Sequence, residues 1–124
     1  MITYEYDENA KILKFHFLGK IDIRDLFENA DVIRQHKQLP KDAKLLAYAD
    51  KADFVFTPEE LKQFGQYLAT TERKFTSVKE AFIVARPKET AMTYIFGKSS
   101  VQMDHFKFKT FSTEEAALAW LQES

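Results

Sequence analysis

Residues 43–49 read Ala-Lys-Leu-Leu-Ala-Tyr-Ala, and this run decides the fold. A short, mostly apolar stretch bounded by charged residues suits a strand buried on both faces, as in the middle of a parallel sheet. Asp50-Lys51-Ala52-Asp53 leaves its carboxyl end, and Phe54-Val55-Phe56 leads into Thr57-Pro58-Glu59-Glu60. That quartet starts a helix, with a threonine N-cap, proline at the first helical position and a glutamate closing a capping box. Leu61, Phe64, Leu68 and Phe75 are expected on its buried side. A second apolar run, Ala81-Phe82-Ile83-Val84-Ala85, predicts another buried strand within residues 78–85, broken by Arg86-Pro87. Strand, helix, strand is the pattern of a parallel section.

The flanks complete the order. Ile2 to Tyr6 alternates, Asp7-Glu8-Asn9 turns, and Lys11 to Leu18 sets Leu13, Phe15 and Phe17 against Lys14 and His16. This is an antiparallel hairpin over residues 2–18, ended by Gly19. Asp22 caps a helix whose stripe is Ile23, Leu26, Phe27, Ala30 and Ile33, stopped at Leu39-Pro40. After the second buried strand, Ala91, Met92, Ile95 and Phe96 predict a short amphipathic helix with Gly97 as its C-terminal cap. His105 to Phe111 sets Phe106, Phe108 and Thr110 against Lys107, Lys109 and Phe111, which predicts a peripheral strand. Ser112-Thr113-Glu114-Glu115 reads as a second capping box, opening a last helix with Ala117, Leu118, Trp120 and Leu121. The expectation is an α/β layer fold in a single domain spanning residues 1–124. It has a mixed sheet of about five strands, an N-terminal β-hairpin and about four helices.

Composition narrows the function. The 18 basic and 19 acidic side chains give a net charge of −1 and a pI near 6.3, so no global field draws the chain to nucleic acid or anionic lipid. With no cysteine there is no disulfide, thiolate metal site or thiol nucleophile. Met1 to Asp7 has neither the basic nor the apolar region of a signal peptide, and no apolar run reaches the ~20 residues of a membrane span. The chain therefore reads as soluble and cytoplasmic. Its 12 phenylalanines and 5 tyrosines supply enough bulk to fill a core or line an apolar pocket.

Few residues offer chemistry. Asp50 and Asp53, at the end of a buried strand, have the types needed for a hard cation or an acid/base pair, but no third acidic ligand stands near them in sequence. His16, His36 and His105 match no metal-ligand spacing, and the phosphate-binding glycine motifs and the G-x-S-x-G elbow are absent. Thr57, at a helix N-terminus, is explained by capping, although such a position also favours anions. Lys107 and Lys109, interleaved with Phe106 and Phe108, read as edge protection rather than a nucleic-acid platform. Tyr48, Phe54, Phe56, Phe75, Met92, Tyr94 and Phe96 are the set that would surround an apolar pocket at the third helix.

Four segments carry a family resemblance: Lys44-Leu-Leu-Ala-Tyr-Ala-Asp50, Asp53-Phe-Val-Phe-Thr-Pro-Glu-Glu-Leu61, Glu80-Ala-Phe-Ile-Val-Ala85 and Phe106-Lys-Phe-Lys-Thr-Phe-Ser-Thr-Glu-Glu-Ala-Ala-Leu-Ala-Trp-Leu121. Together with the element order they resemble the STAS-like fold, specifically the SpoIIAA-like family, also called STAS/SEC14 domain proteins. The resemblance implies a small regulatory or ligand-binding domain rather than an enzyme. STAS antagonists of anti-sigma factors dock on a kinase under control of a phosphorylated serine in a D-S-S-G-L stretch opening the second helix. Aligned on Leu61, this chain has Pro58 at the serine and Glu60 at the glycine, and Thr57 is the remaining hydroxyl, displaced by one position. SEC14-like relatives imply an apolar or lipid-like ligand instead.

The function expected is a non-enzymatic regulatory or binding module without cofactor or metal. It acts on a protein partner or small ligand near the start of the second helix, through Asp50, Asp53, Phe54, Phe56, Thr57, Arg86, Met92 and Phe96. The alternative is a carrier or sensor of a hydrophobic small molecule held under the third helix, and a hydrolase on Asp50 and Asp53 is a third reading. A homodimer through the strand bearing Phe106 and Phe108, or through a helix face, also fits.

Overall fold

A computed structural model describes residues 1–70, 74–99 and 105–123. The chain runs β1 (Ile2–Asp7), β2 (Ile12–Phe17), β3 (Gly19–Ile21), α1 (Ile23–Gln35), β4 (Asp42–Tyr48), β5 (Ala52–Phe54), α2 (Pro58–Thr70), β6 (Ser77–Ile83), α3 (Pro87–Ser99), β7 (Phe106–Phe111) and α4 (Glu114–Gln122). Five strands form one mixed sheet in the order β1-β2-β4-β6-β7, in which only β1 and β2 pair antiparallel. A second, two-stranded parallel sheet joins β3 to β5.

Local signals set most boundaries. Asp22 and Asp25 exchange side-chain to backbone hydrogen bonds of 2.9 Å each, so α1 opens on a complete capping box. Thr57 and Glu60 do the same for α2, at 2.8 and 3.1 Å. At α4 the cap is Thr113, which accepts from the Ala116 N–H at 3.2 Å, and no glutamate stands at the position that would reciprocate. The carboxylate of Glu114 instead accepts from the Tyr48 hydroxyl on the sheet.

Three expectations are corrected. β3 and β5 were not anticipated, and the chain past Gly19 (φ +70°) runs on as strand rather than loop. Helix α2 is described as far as Thr70, and Phe75 lies outside any helix, in the approach to β6. Helix α3 starts at Pro87 and continues beyond Gly97, which sits inside it rather than capping it. A Cβ at Gly97 would stand 3.2 Å from the Phe108 ring, so the glycine lets α3 lie close on β7.

The two sheet faces are unequal. On one, Leu13, Phe15, Phe17, Leu45, Val78 and Phe82 belong to the large core shared with α1 and α2 and with Met92 and Phe96 of α3. On the other, Ile12, Leu46, Ala81 and Ile83 pack against Ala117 and Leu121 of α4. The alternation of side chains along each strand therefore decides which face a residue serves. No described helix is long and apolar enough to cross a membrane.

Candidate functional site

The large face is not filled. Between the sheet and α1, α2 and α3 lies a cavity of about 140 Å³. Phe17, Leu45, Val78, Glu80, Phe82, Phe106 and Phe108 make its floor. Leu26, Asn29, Ala30, Ile33 and Arg34 of α1, Leu61, Phe64 and Leu68 of α2, and Met92, Thr93 and Phe96 of α3 roof it. Phe54 and Phe56 close it on the side of the strands' carboxyl ends, and Lys74, Phe75 and His105 border it at their amino ends.

The segment carrying Phe54 and Phe56 is tied down from α3. The backbone N–H of Phe54 donates to Oε2 of Glu89 at 2.9 Å, and Glu89 is only 1% exposed. Lys88 Nζ lies 2.7 Å from Oδ1 of Asp53 and 3.5 Å from that same Glu89 oxygen. Lys88, through its hydrogen bond and charge, holds the Asp53 carboxyl below its ordinary value. These contacts turn Phe54 and Phe56 inward, at 3% and 6% exposure, with ring centroids 4.9 Å apart.

The expected site residues thus separate into two groups. Phe54, Phe56, Met92 and Phe96 come together on the cavity wall. Asp50 is exposed in the turn after β4, Asp53 is engaged by Lys88, and Arg86 is exposed just ahead of α3. Thr57 is consumed by its capping box, so the start of α2 already holds a carboxylate of its own. Val55, 48% exposed, is the large apolar side chain turned outward in this segment. Among the described residues no group of three or more His, Cys, Asp or Glu could hold a metal ion.

Two of the expected pocket aromatics lie elsewhere. Tyr48 is on the opposite face, stacked on His16 with centroids 4.7 Å apart, and burial together with Glu114 raises its hydroxyl pKa. Tyr94 is exposed on the outer side of α3. Phe106 and Phe108, on the strand expected to serve a homodimer, turn inward toward Phe96, at 6.3 and 4.9 Å between centroids. Their lysine neighbours Lys107 and Lys109 are exposed, on the other side of the strand.

One residue on the floor escaped the sequence reading. Glu80 stands mid-sheet in β6, in register with Leu45 and Phe108, and is 8% exposed. Burial, with no opposing charge or donor among the described residues, pushes its carboxyl up to about 8. Its signal in the sequence was parity: Glu80 alternates with Val78 and Phe82, both of which face the core.

No protein-family model matches the chain, and no curated protein matches it in sequence. Among solved structures, it is similar to an uncharacterized protein of the DUF3478 family from Shewanella loihica PV-4, described as having a SpoIIAA-like fold. The two are 17% identical, the match covers 98% of this chain and 92% of that one, and the TM-score is 0.60. This chain has a SpoIIAA-like fold. At that identity the likeness speaks for the SpoIIAA-like architecture and leaves the cavity's side chains to be read on their own chemistry.

Proposed function

We propose that this protein is a non-enzymatic binding module that carries or senses a small, largely apolar molecule held between the sheet and α1–α3. The cavity is the observation that carries this. Its volume, about 140 Å³, is close to that of apolar cavities of ~150 Å³ that take up benzene. Its wall is built of phenylalanine, leucine and methionine, which favour a desolvated guest. A hydrolase on Asp50 and Asp53 has less support, because Lys88 compensates one carboxylate and the other sits in solvent. Docking of a protein at the start of α2 has less support too, because Phe54 and Phe56 face inward and leave Val55 as the apolar contact there.

Native mass spectrometry of freshly purified protein tests the proposal. A bound small mass that disappears when the chain is unfolded is expected. A bare polypeptide mass, together with no thermal stabilisation by added toluene, would refute it.

A further inference from the structure

We infer that the ligand of this cavity is a small amine, with an apolar body against the phenylalanine wall and its ammonium nitrogen on the carboxylate of Glu80. The inference rests on the binding function proposed above and narrows it to a chemical class.

Glu80 is more than nine-tenths buried, lines the cavity, and has no hydrogen-bond or ion-pair partner among the described residues. Glu80 therefore presents to the cavity a carboxyl that no described residue pairs. A hydrocarbon guest leaves Glu80 unpaired, and buried polar groups without partners are costly. An anion adds a further acceptor. An ammonium group supplies three donors and the countercharge, and charge-assisted bonds are the strong ones.

Of the charged groups lining the cavity, Arg34 and Lys74 have partners of their own. Arg34 of α1 pairs with Asp31, and Lys74, ahead of β6, donates to the carbonyls of Arg34 and His36 at 2.7 and 3.0 Å. His105 approaches from the amino end of β7. From α2 and α3 the described lining residues are Leu61, Phe64, Leu68, Met92, Thr93 and Phe96, none of them charged.

Because burial keeps Glu80 protonated up to about pH 8, an incoming ammonium must displace that proton. Amine affinity should then rise ~tenfold per pH unit below that value and level off above it.

The test is calorimetric titration of the full chain with benzylamine, toluene and benzoate, for the wild type, Glu80→Gln and Glu80→Leu. At pH 8.5 the wild type should bind benzylamine at least ~tenfold more tightly than toluene, and benzoate more weakly than either. Both variants should lose that preference while keeping toluene binding within about threefold, a difference small on the affinity scale. Equal wild-type affinity for toluene and benzylamine, or a preference that survives in the variants, overturns the amine and leaves the cavity function standing. Binding of none of the three overturns both. If the variants do not fold, the wild-type pH profile decides: a benzylamine affinity that is flat between pH 6 and 8 overturns the inference.

Discussion

Replacing Glu80 by glutamine should make the protein more stable in mild alkali and almost unchanged in acid. The carboxyl sits in the cavity floor with apolar neighbours, and burial raises it from its ordinary 4.5 to about 8. Between those two values the unfolded chain has released the proton and the folded chain still holds it. Folded stability therefore falls as pH rises through this window, by ~1.4 kcal/mol per pH unit, and is level above it. Across the whole window the loss is about 5 kcal/mol, a large share of the ~5–15 kcal/mol that separates folded from unfolded domains. Glutamine keeps the shape and has no charge to bury. Urea unfolding at pH 5, 6, 7 and 8.5 measures the difference, and subtracting the Glu80→Gln curve removes every other titrating group. The variant should match the wild type near pH 5 and exceed it by several kcal/mol at pH 8.5. A difference independent of pH would show that Glu80 ionises freely, and would refute the desolvated site.

Further expectations concern the frame around the cavity. Thr57→Ala should lower stability by ~0.5–2 kcal/mol in denaturant unfolding and leave toluene affinity unchanged, since Thr57 caps α2 and touches no guest. Glu89→Ala strands the Phe54 N–H and should cost ~1–3 kcal/mol while weakening ligand binding, because the Phe54 and Phe56 wall loses its anchor. Phe96→Ala should cost ~3–5 kcal/mol and admit larger guests, read as tighter binding of naphthalene relative to toluene. Gly19→Ala should cost about 1 kcal/mol through backbone strain alone, since φ is +70° and the new Cβ meets nothing within 4 Å.

How much of this is legible in the sequence depends on whether the cause is local. The buried strands expected over residues 43–49 and within 78–85 and the helix starts at Asp22 and Thr57 are written in neighbouring residues, and the structure has the strands at 42–48 and 77–83 and both helix starts where the patterns place them. Strands β3 and β5 have three residues each, too few for a period, and exist because Gly19–Ile21 meets Ala52–Phe54. Helix α3 hides its length for a related reason. It packs toward both α2 and β7, so of its expected stripe Met92 and Phe96 are buried while Ala91 and Ile95 are exposed, and Gly97 looks like a stop until Phe108 explains it.

The candidate site divides in the same way. Phe54, Phe56, Met92 and Phe96 are apolar residues that any compact fold would draw inward, and here they meet. Glu80 could be found only by trusting strand parity over charge, because its burial is produced by helices distant from it in sequence. Asp50 and Asp53 drew notice as a carboxylate pair, yet the partner of Asp53 is Lys88, 35 residues away.

Methyl-resolved NMR during a toluene titration tests the central claim most directly. Leu45, Leu61, Val78 and Met92 line the cavity, while Leu46, Ala81 and Leu121 pack on the opposite face of the same sheet. Saturable shifts confined to the first set are predicted. Shifts spread over both sets, or none in the first, would contradict a cavity that takes a guest.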